Sequence, residues 1–106
     1  MSTEKRSPTP QGISALLRRA GFERSVMTRN SRHHKEHTAG YHVKAFMGEV
    51  VVNWWPETDY SAEAHEAAIP VGREMRARYA KAIAAAGWPV VEKPHTLIVT
   101  ARAATP

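Results

Sequence analysis

Apolar positions along the chain follow two periods, and the switch between them divides it into elements. Ile13, Leu16, Leu17 and Ala20 recur at i, i+3, i+4, i+7, the spacing of one helix face. Thr9 suits the N-cap of that helix and Pro10 its first position. Arg18 and Arg19 fall in its last turn, where cations complement the helix dipole. Gly21 suits the left-handed position just past the end, and Phe22 packs back to close the cap. A period of two takes over at Tyr41. Tyr41, Val43, Ala45 and Met47 alternate with His42, Lys44 and Phe46, and Val50 to Trp55 is rich in β-formers. With Gly48-Glu49 as a tight turn, the pattern predicts a hairpin of 41–47 with 49–55, ended by Pro56.

Residues 57–68 are acidic and alanine-rich and suggest a short helix after Asp59 or Ser61, interrupted by Pro70. Beyond Pro70, Val71, Met75, Tyr79, Ile83 (or Ala82) and Ala86 mark one face of a second helix. Its end, Gly87-Trp88, repeats the cap at Gly21-Phe22. Residues 90–91 and 96–101, around the polar 92–95, predict a second hairpin. Val26 and Met27 suggest a short strand starting near Phe22. Thr28 to Gly40 has no apolar period and predicts a long polar loop. Residues 1–8 and 102–106 are expected to be flexible tails around one domain at 9–101. The fold expected is α+β: two main helices on one face of an antiparallel sheet of four to five strands, in the order α-(β)-β-β-α-β-β.

Composition narrows the function classes. The chain has 106 residues, 42% apolar, and no Cys, which removes disulfides, thiolate metal sites and Cys nucleophiles. No apolar run approaches the ~20 residues of a membrane helix, so no membrane partner is expected. Met-Ser-Thr-Glu-Lys-Arg lacks the apolar stretch of a signal peptide, and a cytoplasmic location is the expectation.

Charge changes the picture further. The net charge of +5 is unevenly placed: residues 1–47 hold nine Lys/Arg against three Glu, whereas residues 48–106 hold six against seven acids. His33, His34, His37 and His42 lie in the same basic stretch. A one-sided positive field favours an anionic partner, DNA or RNA first. The candidate contacts are Arg18, Arg19, Arg24, Arg29, Arg32, His33 and Lys35 for phosphates, with Lys44, Phe46 and Trp55 on the hairpin. If Tyr41, Val43 and Ala45 face the core, then His42, Lys44 and Phe46 face away. On the partner strand, either Val50, Val52 and Trp54 or Val51, Asn53 and Trp55 face outward. The second set joins aromatic and basic groups on an open sheet, as base stacking requires.

Catalysis finds little support. In a helical 31–37 segment, His33 and His37 would share a face, with Glu36 or His42 to complete a metal shell, but Arg29, Arg32 and Lys35 oppose a divalent ion. Ser14, Ser25, Ser31 and Ser61 have no nucleophile-elbow context, and the six Gly form no phosphate loop. Glu57, Asp59, Glu63 and Glu66 read as a solvated acidic stretch. The expectation is therefore a non-catalytic nucleic-acid-binding accessory protein without metal or cofactor. The alternative is a protein-interaction or homodimerisation module with an exposed aromatic sheet face.

Gly40-Tyr41-His42-Val43 and the basic-then-alanine helix from Arg73 to Ala86 resemble the topology of a double-stranded-RNA-binding domain. The acidic insert at 57–69 and the final hairpin depart from that family. Leu16 to Phe22, the Val-rich strand ending in Trp55, and Ala86-Gly87-Trp88 also resemble small accessory proteins of actinobacteria and their phages and integrative elements. That likeness implies a host class and no mechanism.

Overall fold

A computed structural model describes residues 5–32 and 35–103, the side chains of Lys5 and Asn30 excepted. In chain order the elements are β1 (Lys5–Arg6), α1 (Pro10–Arg19), β2 (Met27–Asn30), β3 (Lys35–His37), β4 (Gly40–Phe46), β5 (Glu49–Trp55), α2 (Ala62–Ala85), β6 (Val90–Glu92), β7 (Leu97–Val99) and β8 (Arg102–Ala103).

Local chemistry sets the helix ends. The Thr9 hydroxyl oxygen accepts from the Gly12 N–H at 3.0 Å, and Ser61 accepts from the Ala64 N–H at 3.2 Å. Each satisfies one of the free N–H groups of a first turn. The two C-termini are built alike. Gly21 and Gly87 have φ of 94° and 91°, a region open to glycine and costly for other residues. The Gly21 N–H donates to Arg18 O and the Phe22 N–H to Leu17 O; Gly87 and Trp88 repeat this with Ala84 and Ile83. Both are the paired 6→1 and 5→2 bonds of a glycine C-cap. The second cap gains a cation from elsewhere in the chain. Arg102 lies 4.1 Å over the Trp88 ring and donates to Ala86 O at 3.1 Å.

The main sheet has the order β4-β5-β7-β6 with every neighbour antiparallel. Its two hairpins, β4–β5 and β6–β7, join through their second strands. Parity then selects one face for burial. Tyr41, Val50, Val52, Leu97 and Val99 are fully buried, with Val43, Trp54 and Val90 packed against them. Onto that face come Ile13 and Leu17 of α1 and Tyr79 and Ile83 of α2. The Phe22 and Tyr79 rings meet edge-on at 4.9 Å, an arrangement that suits the ring quadrupoles. Three hydroxyls enter this core. The Ser14 and Tyr41 hydroxyls lie 2.8 Å apart, and Tyr41 also donates to Ser14 O. The Tyr79 hydroxyl is buried and, among the described residues, has no hydrogen-bond partner, and burial pushes its pKa up to about 12.

The chain is thus α+β with two helices and antiparallel sheets, as expected, but three expectations change. First, the polar stretch 28–40 is no plain loop. β2 and β3 form an antiparallel pair, with Arg29 opposite Glu36 and Asn30 opposite Lys35. Its root is tied by Thr38 N–H to Val26 O, Val26 N–H to Thr38 Oγ1, and Ser25 Oγ to Thr38 O. Second, Lys5–Arg6 and Arg102–Ala103, expected within tails, pair with each other. Third, one helix of 24 residues runs through Pro70. Good helix formers on both sides and the buried anchors Tyr79 and Ile83 hold it across the interruption. Pro70 cannot donate to Glu66 O, and its ring crowds that carbonyl. Pro70 is exposed, so Pro70→Ala is expected to raise unfolding free energy by about 1–3 kcal/mol. Urea denaturation would show this as a higher midpoint at unchanged slope.

Candidate functional site

The register decides which hairpin residues face away from the helices. His42 pairs with Asn53, Lys44 with Val51 and Phe46 with Glu49, while Val51 and Val91 flank Ile98. Of the two sets left open by the sequence, Val51, Asn53 and Trp55 lie outward, beside His42, Lys44 and Phe46. The middle of this open face is aliphatic, in the row Val51–Ile98–Val91. Phe46, at 55% exposure, stands at the hairpin end. Trp55 is half-buried, and its ring stacks on His42 at 4.0 Å and 11°. His37 meets the same ring at 5.1 Å. Trp55 therefore works as a wedge between neighbouring side chains, with one ring face already occupied.

Of the candidate cations, Arg18 and Arg24 meet at one cleft beside His42. Arg18 and Arg19 are exposed on the last turn of α1. Arg24 bridges in parallel to Tyr41; the Ser25 N–H donates to Tyr41 O and the Tyr41 N–H to Glu23 O. From there the chain turns out into β2–β3, a basic arm with Arg29 on one strand, Lys35 on the other and Arg32 between them, all exposed. His33 lies outside the described residues. Lys44 is exposed on the open sheet face. Two of these fields converge on His42. Burial, then Lys44, then Arg24, hold its pKa below the ordinary histidine value.

Two adjoining clefts flank the root of the arm. One, of about 470 Å³, lies between the arm (Met27, Lys35, His37) and the 56–60 segment that leads into α2. The other, of about 610 Å³, lies between α1 (Gln11, Ser14, Arg18) and the edge of β4 at His42 and Val43, with Arg24 on its rim. Met27 and Trp55 line both. Several of these residues escape sequence reasoning. Thr58 sits in a stretch that reads as an acidic linker, yet it fixes His37. The His37 N–H donates to Thr58 Oγ1 at 2.7 Å and the Thr58 N–H to His37 O at 3.0 Å. Tyr60 donates to Lys35 O at 3.1 Å. Only a tertiary contact brings 57–60 against 35–37, and no local pattern signals it.

Among the described residues no group of three or more His, Asp or Glu is placed to hold a metal ion. Nor, among them, is any helix long and apolar enough to cross a membrane. No known protein family matches the chain, and no curated protein or solved structure matches it.

Proposed function

We propose that this protein is a small non-catalytic nucleic-acid-binding protein that grips the phosphate backbone with the β2–β3 arm and the cations at its root. The observation that carries this reading is the placement of charge. Between Arg18 and Lys44 stand seven Lys/Arg against two Glu, which accounts for the whole net charge of +5. All seven cations are exposed. Exposed guanidinium and ammonium groups bind phosphate oxygens and release the counterions condensed on the strand. A two-stranded arm is also of a size that a major groove admits.

The test is an anisotropy titration with a short single strand and a short duplex. Affinity is expected to fall on the order of 10²-fold between about 50 and about 200 mM salt. Absence of binding at the lower salt refutes the proposal.

A second reading, self-association through the open sheet face, is favoured by one observation. The aliphatic row Val51–Ile98–Val91, with Val91 44% exposed, is flanked by an exposed Phe46. Light scattering across concentration decides it: a mass rising to twice the monomer supports it, and a constant monomer mass contradicts it.

A further inference from the structure

We infer that the cleft under the arm holds one unpaired nucleobase of the bound strand, a base carrying an exocyclic amino group. This rests on the nucleic-acid reading above and deepens it. The cleft volume, about 470 Å³, falls in the range of roughly 300–1,000 Å³ usual for ligand sites. Its walls are unlike in charge. On the arm side stands Lys35. On the other side stand Glu57 and Asp59, with His65 in the same lining. A phosphate is attracted to the first wall and repelled by the second. A ligand with an anionic end and a neutral, hydrogen-donating planar end fits that separation, and a nucleotide unit of a strand has both.

One carboxylate of this wall, Asp59, is engaged by its own loop. Asp59 Oδ1 accepts from the Ser61 N–H at 2.9 Å, and hydrogen bonds from the Ser61 backbone and then its side chain hold the Asp59 pKa below the usual carboxylate value. An ionised carboxylate is an acceptor only, with about four lone-pair sites, so Asp59 retains capacity for a ligand N–H. The amino groups of cytosine, adenine and guanine supply such donors, and cytosine N4 on Asp or Glu is a known pairing of this kind. Uracil and thymine lack the amino group.

Aromatic surface completes the site. Trp55 lines the cleft, and Tyr60, 73% exposed, is tethered across to the arm through its hydroxyl. Tyr60 offers the π surface on which an unstacked base rests, while Trp55, wedged between His42 and His37, contributes apolar lining. The walls are fixed relative to each other by the Thr58–His37 bonds, so the site is formed before the ligand arrives. A base inside it cannot also be stacked in a duplex, which makes an unpaired segment the ligand.

The decisive comparison is between oligo(rC) and oligo(rU) of equal length, two pyrimidine strands that differ on the edge presented to Glu57 and Asp59. The intact protein is expected to bind oligo(rC) about tenfold more tightly at equal salt. In the double variant Glu57→Gln, Asp59→Asn that preference is expected to shrink to less than about twofold, with oligo(rU) affinity unchanged or raised. Both residues are exposed, and Asn retains an acceptor for the Ser61 N–H. Equal binding of the two strands by the unaltered protein overturns the inference while leaving phosphate binding in place. So does a preference that survives the double variant. Failure of both strands to bind at low salt removes the nucleic-acid reading itself, and this inference with it.

Discussion

Gly40→Ala is expected to lower unfolding free energy by about 3 kcal/mol. A Cβ at position 40 would lie 2.5 Å from Glu23 O, 2.5 Å from Ser25 N and 2.6 Å from the carbonyl carbon of Arg24. All three are backbone atoms, so no side chain can rotate away to relieve the clash. The 23–25 segment is pinned to Tyr41 by two hydrogen bonds, and Gly40 is itself paired with Trp55 on β5. Relief requires breaking one of these connections. Each such hydrogen bond contributes roughly 0.5–1.5 kcal/mol, in addition to the strain. Against a total stability of roughly 5–15 kcal/mol for a domain, that loss is severe. Urea denaturation of the variant measures it. A change below about 0.5 kcal/mol contradicts the close approach, since ordinary surface substitutions lie within that range. The site is affected too, because the same segment carries Arg24 and launches the arm.

Glycine caps and strand parity are the parts of this fold that sequence shows directly. Gly21-Phe22 and Gly87-Trp88 are local devices: their geometry needs only five or six consecutive residues, and both close as the sequence suggests. The β4–β5 hairpin is legible because one of its faces is buried and a period of two follows. The arm is not legible, for the same reason inverted. Neither β2 nor β3 contributes a residue to the core, so no apolar alternation marks them. Their pairing comes from backbone bonds and from ties to Thr38, Thr58 and Tyr60. Pro70 misleads in another way. It is a local stop signal, whereas the helix through it is held by Tyr79 and Ile83 more than two turns further on. The basic residues of the site are visible in sequence as a list. That Arg18 and Arg24 share a cleft with His42, and that Glu57 and Asp59 share another with Lys35, follows only from tertiary packing.

The second large effect concerns binding. Arg29→Ala, Arg32→Ala, Lys35→Ala together are expected to lower nucleic-acid affinity by on the order of 10²-fold at about 50 mM salt, with little effect on stability. All three side chains are exposed, and none belongs to the core. Arg29 lies opposite Glu36 across the arm. An exposed pair of this kind is worth about 1 kcal/mol at most, too little to keep Arg29 from a phosphate. Loss of the arm cations leaves Arg18, Arg19, Arg24 and Lys44 in place, so residual binding with a weaker salt response is the expected outcome. A variant that binds as tightly as the parent places the contacts elsewhere.

Phosphate binding by the arm is read most cleanly from the slope of log affinity against log salt, measured on one single strand for the parent protein and for the triple arm variant. At roughly 0.7 per phosphate contact, the expected parent slope is about −3 to −5 and the variant slope is shallower by about two. Equal slopes for the two proteins, or no salt-dependent binding by the parent, would contradict phosphate binding by the arm.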